Sequence, residues 1–515
     1  MHSATSASVS LTNAITPSIF QQDIYDFIEH GTGSAVVIAV AGSGKTTTIV
    51  NAARLIPQNA TASFVAFNKA IAMELATRLP SHVRSQTLNA MGFGAWTRSC
   101  SGRVNVDSYK TRKVMDDIVP ENEQKIYSAL PRLIGLAKSV GLVPQVVGSK
   151  YKGLSEDSDY NWIELIDTYE LEVGEKGTIE RFVELAREVL TASIQRACRV
   201  IDFDDQLYMP VISGSRFYQN DYLFVDEAQD VNKIQREMLR RALKPGGRLI
   251  AVGDPRQAIY GFRGADHTAI DNIKAQFSAV ELPLSISYRC PRSVVKLAQE
   301  YVSHILPHDA APEGQVEYPK EFSVAEFKPN DVVVCRCTAP VVALAYRLIR
   351  SKVACFVMGR EIGQGLVSII DKMKAKDVDE LSLKLDNHLA RETARLYAAK
   401  QDNKAQALED RVETINVFLD GLEEDNRSIE KLKNDISALF SDNMQASAVK
   451  LMTQHKSKGL EADRVFILDF SLNEKFMAKA SHQQKQEYNL AYVAVTRAKS
   501  HLTFIDSKMF KKGGR

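Results

Sequence analysis

The segment Ala39-Val-Ala-Gly42-Ser43-Gly44-Lys45-Thr46-Thr47 follows an apolar run and precedes a helical pattern. Strand, glycine-rich turn and helix is the context a phosphate-binding loop needs. Glycines let backbone N–H groups curl around phosphate oxygens, and the start of the helix adds positive potential. Lys45 can then reach the outer phosphates, and Thr46 can offer its hydroxyl to Mg2+. Ala39 stands where the strict pattern has its first glycine. Further on, Tyr222-Leu-Phe-Val-Asp226-Glu227-Ala-Gln-Asp230 is an apolar run ending in adjacent carboxylates. At the C-terminal edge of a parallel strand, where α/β sheets bind ligands, Asp226 can hold the metal. Glu227 can orient and deprotonate a water for in-line attack on a phosphoanhydride. A third segment, Ala251-Val-Gly253-Asp254-Pro-Arg-Gln257-Ala-Ile-Tyr260-Gly-Phe262-Arg263, offers an amide for a γ-phosphate in Gln257. Phe262 adds a flat face for a nucleic-acid base, and such stacking contributes about 1–3 kcal/mol per base.

These groups need rigid elements behind them. Apolar runs without polar alternation recur at Ser34–Val40, Ala62–Phe67, Tyr222–Asp226, Leu249–Gly253, Asp331–Arg336, Ala354–Gly359, Arg464–Asp469 and His501–Ile505. Such runs suit parallel strands buried on both faces. Helical patterns such as Ala70–Arg78 and Ser293–Leu306 lie between them, so the spacing predicts an α/β fold with right-handed crossovers. Two sheets are expected, divided near Ile270. Two stretches break the rhythm. From Arg98 to Arg199 the pattern is helical, with Glu121–Val140 broken at Pro131 and then Ile179–Arg199. From Lys372 to Gln445 it is charged, helix-favouring and free of proline, with Gly421 as its one breaker. Both read as helical insertions.

The chain has 515 residues, a length that suggests about three or four domains. At 45% hydrophobic and 25% charged it is ordinary globular material. Sixty-five Lys and Arg against 63 Asp and Glu give +2. No global positive field exists, so any nucleic-acid contact must use local grooves. The six cysteines show no zinc-site spacing, which suits a reducing interior. No apolar run approaches the roughly 18 residues that span a bilayer, and the first Lys or Arg is Lys45. Neither a signal peptide nor an Arg-rich transit peptide is expected. The Ser/Thr/Ala-rich start, Met1–Thr16, reads as a loose tail.

In their order, these segments resemble those of the UvrD/Rep-like helicases of superfamily 1, and further matches extend from about Phe20 to Ala498. Gln21 of Phe20-Gln21-Gln22 resembles the adenine-reading glutamine, with Gln22 as the alternative register. Val65-Ala-Phe67-Asn68-Lys69-Ala70 and Thr87-Leu-Asn89-Ala-Met resemble two DNA-contacting segments. UvrD tends to carry Phe-Thr-Asn-Lys and Thr-Phe-His there, and the present variant is closer to the F-box DNA helicase branch. Ser287-Tyr288-Arg289 resembles the motif whose tyrosine stacks on adenine and whose arginine reaches the γ-phosphate. Leu451-Met-Thr453-Gln-His455-Lys-Ser-Lys458-Gly459-Leu460-Glu461 resembles the segment joining a DNA contact to the nucleotide ribose. Glu487-Tyr-Asn489-Leu-Ala-Tyr492-Val-Ala-Val-Thr496-Arg497 resembles the last motif, which makes Arg497 the arginine-finger candidate.

The resemblance implies two RecA-like motor domains, each with a mainly helical insertion, and ATP with Mg2+ in the cleft between them. Domain 1A would cover residues 1–98 and 203–271, with insertion 1B at 99–202. Domain 2A would cover 272–372 and 446–515, with a short insertion 2B at 373–445. Lys45, Asp226, Glu227, Gln257, Arg289 and Arg497 are the expected catalytic set. Gln21, Gly42, Ser43, Gly44, Lys45, Thr46, Thr47, Tyr288, Gly459 and Glu461 would surround the nucleotide, with Thr46 and Asp226 on the metal. Phe67, Asn68, Lys69, Thr87, Asn89, Tyr260, Phe262, Arg263, Thr453 and His455 would contact single-stranded DNA. The implied activity is 3′-to-5′ translocation and duplex separation at single-strand/duplex junctions, in repair, replication or recombination. The alternative is a DNA-stimulated ATPase that remodels nucleoprotein or serves a partner without unwinding. Fewer than 20 residues follow Arg497, so a nuclease would be a separate subunit. Asn68-Lys69-Ala-Ile lacks the aspartate of a guanine-reading site, which disfavours GTP. A location in the cytoplasm of a bacterial or phage-infected cell, or otherwise intracellular, is expected, with no membrane partner.

Overall fold

The computed structural model describes residues 16–169, 171–174, 176–259, 268–398, 401–440, 448–473 and 481–511. Nearly all of the Met1–Thr16 tail lies outside them. The eight apolar runs supply eight of the twelve strands of two six-stranded sheets in which every pairing is parallel. The first holds β1 (Ala35–Ala39), β2 (Ala62–Ala66), β3 (Val83–Thr87), β4 (Asn220–Val225), β5 (Leu243–Gly253) and β6 (Val280–Leu284), in the order β3-β2-β4-β5-β1-β6. The second holds β7 (Gln315–Glu317), β8 (Val332–Cys335), β9 (Cys355–Val357), β10 (Val449–Thr453), β11 (Ala462–Leu468) and β12 (Ala498–Ile505), in the order β7-β12-β11-β8-β10-β9. Central strands such as β2 and β8 are buried along their whole length. Helices cover both faces, so a period-2 pattern has no solvent side to report.

The division between the sheets lies later than expected. β6 pairs with β1 from Ala35↔Val280 to Ala39↔Leu284, so the first sheet continues past residue 271 to Leu284. The physical reason is that β6 is an edge strand. Its Glu281 and Pro283 are tolerated only there, and they hide it from a search for apolar runs. The β3 edge strand, Val-Arg-Ser-Gln-Thr, was hidden in the same way.

Residues 99–202 are mainly helical, with helices at Lys110–Ile118, Leu130–Val140, Asp159–Thr168 and Ile179–Arg196. The Glu121–Val140 pattern breaks as expected, into helices Glu121–Gln124 and Leu130–Val140, with Pro131 in the first turn of the second. In a first turn the missing N–H has no partner to lose. The two ends of the insertion are held by a short parallel ladder, Asn105↔Val200 and Val106↔Ile201. The Trp96 indole N–H also donates to the carbonyl of Ala197 at 3.0 Å. Residues 373–445 carry helices Val378–Ala398, Asp402–Gly421 and Ile429–Leu439. They share a hydrophobic core with the second sheet. Asp410 accepts the Thr338 and Ala339 amides, capping the Thr338–Arg350 helix.

The first insertion is anchored by buried charge as well as by apolar contact. Lys138 Nζ lies 2.8 Å from Asp202 Oδ2, and Lys110 Nζ lies 2.5 Å from Asp205 Oδ2. Asp202 and Asp205 form a reciprocal capping box on the Phe203–Ile212 helix. Burial works against ionised Asp202, but the Lys138 charge and hydrogen bonds from Lys138 and Thr111 outweigh it and take the carboxyl down to about 2. This stabilisation is complete above the unfolded carboxylate range near 3.9 and fades as pH falls toward the folded value. Lys138→Ala leaves a buried carboxylate uncompensated. It should cost about 3–5 kcal/mol, measured as a lower urea midpoint at neutral pH; an unchanged midpoint would show that the pair anchors nothing.

Candidate nucleotide and nucleic-acid site

β1 delivers the chain into a turn where Gly42 and Gly44 have φ of 72° and 75°. Gly42 is required twice over. A Cβ there would also lie 2.5 Å from the Cβ of Arg289 and 2.8 Å from Ser287 Oγ. The Lys45–Ala52 helix begins directly after the turn. Ser43 Oγ is buried with no hydrogen-bond partner, an orphan group in a loop whose amides suit phosphate oxygens. Thr47 is differently engaged, since its hydroxyl accepts from Arg78 at 3.2 Å.

β4 ends at the carboxylate pair. Thr46 Oγ1 donates to Asp226 Oδ2 at 2.7 Å, and the Lys45 ammonium sits 3.3 Å from Glu227. Glu227 adopts the left-handed region at φ 53°, with its amide donating to Asp226 Oδ1 at 2.8 Å. Gln229 Nε2 donates to Glu227 Oε2 at 2.5 Å. Burial and the Glu227 charge push the Asp226 carboxyl up. Burial opposes ionised Glu227 as well, but Lys45 and Lys458 overcome it and hold that group down at about 2. Thr46 and Asp226 form a hard-oxygen pair of the kind Mg2+ takes when phosphates and water complete its shell, and a cation there would relieve the Asp226–Glu227 repulsion. Gln257, 6% exposed, is held by its amide N–H to Asp254 Oδ2 at 2.8 Å.

The opposite wall comes from the second half of the chain. The Tyr288 amide donates to the Gly42 carbonyl at 2.9 Å. The Tyr288 hydroxyl donates to Gln21 Oε1 at 3.1 Å, and Gln21 Nε2 reaches Thr48 at 3.0 Å. Gln22 instead bonds Asp26, so Gln21 is the glutamine facing this wall. Arg289 pairs with Glu461 at 2.6 Å, and Glu461 also pairs with Lys499 at 2.5 Å. Gly459, at φ 85°, makes the turn leading to Glu461. Arg497, 1% exposed, donates to the carbonyls of Val493 and Leu460 and to Thr496 Oγ1, all within its own half. Burial and the neighbouring Arg289 lower its guanidinium to about 10, a cationic spot that an incoming anion would relieve.

The expected DNA-contacting residues gather at the C-terminal ends of parallel strands. Phe67, 56% exposed, follows β2, and Lys69 is exposed beside it. Asn68 and Thr87 are occupied as N-caps, accepting the amides of Ile71 at 2.9 Å and Ala90 at 3.1 Å. Asn89 Nδ2 donates to the carbonyl of Phe203 at 2.9 Å, and the Phe203 ring is 56% exposed. Thr453 ends β10, and His455 sits in the turn Gln454–Ser457 beyond it. Tyr260, Phe262 and Arg263 lie outside the described residues.

Residues 21–278 match the model of the UvrD/REP helicase N-terminal domain, and residues 178–509 match that of the UvrD-like helicase C-terminal domain. The chain belongs to the UvrD/Rep helicase family. Its two parallel sheets are accordingly two RecA-like units. It is 24% identical over 534 aligned residues to the F-box DNA helicase protein 1 of Schizosaccharomyces pombe, covering 92% of this chain and 55% of that protein. It is 28% identical to the ATP-dependent DNA helicase Rep of Salmonella typhimurium, over 55% of this chain and 43% of that one. A probable DNA helicase II homolog of Mycoplasma genitalium is 25% identical over 55% of this chain and 42% of its own. The chain spans about half the length of the curated relatives it matches. Among the described residues, no helix is long and apolar enough to cross a membrane.

Within this UvrD/Rep frame the structure adds residues the sequence left unassigned. Lys458 pairs with Asp230 at 2.7 Å, both side chains under 10% exposed. The Ala41 amide donates to the hydroxyl of Tyr492 at 2.8 Å. Asn489 Nδ2 donates to the carbonyl of Ala258 at 3.2 Å. Phe203 adds an exposed ring beside Asn89. The segments holding Lys458, Asn489 and Tyr492 were visible, but their partners lie 228 or more residues away and no local signal links them. For Phe203 the signal was an aromatic at the first position of a strongly capped helix. Glu227→Gln should preserve nucleotide binding yet lower ATP turnover by at least about 10²-fold, as loss of a general base does. Fluorescent-nucleotide titration beside phosphate release checks this; lost affinity with normal turnover per bound nucleotide would make Glu227 a structural carboxylate.

Proposed function

We propose that this chain is an ATP-driven motor that moves 3′ to 5′ along single-stranded DNA and separates duplex strands at junctions. The observation that carries the reading is that the candidate nucleotide site is built from both halves of the chain. Lys45, Thr46, Glu227 and Gln257 come from the first, and Tyr288, Arg289, Glu461 and Arg497 from the second. A nucleotide seated between them contacts both units, so binding favours a closed cleft and hydrolysis removes that preference.

Lys45 would release Glu227 to meet the outer phosphates, and Glu227 would then orient the attacking water. Thr46 and Asp226 would hold Mg2+, which neutralises charge on the β and γ oxygens. Arg289 and Arg497 would exchange carbonyl and carboxylate partners for the phosphoryl group as its charge develops. Phe67, Lys69, Asn89, Thr453 and His455 line the strand ends that would carry the nucleic acid, and Phe203 joins them. Domain 1A is assigned to residues 1–98 and 203–284, 1B to 99–202, 2A to 285–372 and 446–515, and 2B to 373–445. The printed names of the Rep and DNA helicase II relatives support DNA as the track and ATP as the fuel. The direction follows the resemblance of the Gln257–Ala265 and Lys458–Glu461 segments to the 3′-to-5′ branch.

Matched duplexes carrying either a 3′ or a 5′ single-stranded tail test this, with ATPase followed in the same samples. ATP-dependent displacement from the 3′ tail alone is expected. DNA-stimulated ATPase without displacement from either tail would overturn unwinding in favour of a translocase or switch, and displacement from the 5′ tail would overturn the direction.

A further inference from the structure

We infer that Tyr492 is a positioning residue through which the last helix of the second unit holds the phosphate loop of the first. The inference rests on the motor reading above and names a physical link between its two halves.

Tyr492 lies on the Ser481–Val495 helix, shortly before Arg497, and its side chain is fully buried. Its hydroxyl oxygen accepts the N–H of Ala41 at 2.8 Å, and Ala41 is buried too. Ala41 immediately precedes Gly42, so this bond fixes the loop where its amides turn toward the phosphate position. The same helix grips a second loop. Asn489 Nδ2 donates to the Ala258 carbonyl at 3.2 Å and to Pro255 at 3.5 Å, bracketing the turn that carries Gln257. Gln486 Nε2 reaches the Ile259 carbonyl at 3.4 Å. One helix from the second unit therefore holds both loops of the first that face the outer phosphates, and leads directly to the Arg497 candidate.

Tyr492 is suited to the role because it stays neutral. Burial, and next the Asp254 charge, raise its phenol well above the usual tyrosine value. The group is thus a constant acceptor for Ala41 at any pH where the protein works. Asp254 in turn accepts Gln257, so the carboxylate whose charge reaches the phenol also supports the γ-phosphate candidate. Closely packed, directional contacts transmit small displacements rather than absorb them. When the second unit shifts on nucleic acid, the Ala41 amide must follow Tyr492 or lose its buried partner.

Tyr492→Phe in the full chain removes the hydroxyl and keeps the ring in its slot. ATPase is measured with and without poly(dT), together with ATP KM, poly(dT) affinity and thermal midpoint. The poly(dT)-stimulated kcat should fall about tenfold, roughly what one lost buried hydrogen bond costs, while KM for ATP moves less than about threefold. Poly(dT) affinity should hold, the thermal midpoint should drop by no more than the few degrees that one buried hydrogen bond carries, and amide exchange at residues 41–44 should accelerate. A stimulated kcat equal to wild type overturns the inference. So does a lower kcat accompanied by a KM raised beyond about threefold, weakened poly(dT) affinity and a thermal midpoint lowered well beyond that drop, which would reduce Tyr492 to packing. If the wild-type chain itself shows no poly(dT) stimulation, the motor reading fails first and takes this link with it.

Discussion

Gly42 meets Tyr288 backbone to backbone, its carbonyl 2.9 Å from the Tyr288 amide and no room for a Cβ against Arg289. The rest of the site depends on that approach. It brings Ser287–Arg289 of the second half onto the turn that leads into Lys45, so that a phosphate chain seated on the turn is within reach of both units. Only a residue that tolerates a positive φ and carries no side chain allows it. The same glycine therefore docks the two halves and shapes the turn in which a phosphate would sit.

The charges around this contact follow from their burial. Lys45 with Glu227, Lys458 with Asp230, and Arg289 with Glu461 are each paired within the protein. Arg497 is satisfied by carbonyls and a hydroxyl. An unpaired buried ion costs several kcal/mol, so none is left bare. A phosphate that enters must compete with these partners, which makes its binding a rearrangement of ion pairs on both sides of the cleft. The Lys458–Asp230 pair joins the two halves directly. Tyr492 and Asn489 do the same with neutral groups, whose hold does not weaken with salt as that of exposed ions does.

The sequence was most legible where structure is local. The phosphate loop, the Asp226–Glu227 strand end and the central strands β1, β2, β4, β8 and β11 show in short windows, because strands buried on both faces must be apolar throughout. The edge strands β3 and β6 escaped for the complementary reason, whereas the edge strand β9 was apolar enough to show and the interior β10, with Lys450 in its run, was not. Arg84 and Gln86 in β3, and Glu281 and Pro283 in β6, are permitted where one side of the strand is unpaired. Pro131 marked a break that is there, because a proline is tolerated in the first turn of a helix and not in its interior. The contacts of Tyr492 with Ala41 and of Lys458 with Asp230 could not be read at all. They are fixed by how two sheets dock, and no periodicity records that. The doublet Gln21-Gln22 needed the structure too, since only the helix's facing decides which amide meets Tyr288.

Nucleotide held jointly by both units would leave a footprint in amide hydrogen exchange measured with and without a non-hydrolysable ATP analogue and Mg2+. Slower exchange is expected both in residues 41–47 of the first unit and in residues 288–290, 459–461 and 492–497 of the second. Protection confined to residues 41–47 and 226–230, with the second unit unchanged, would contradict that joint hold.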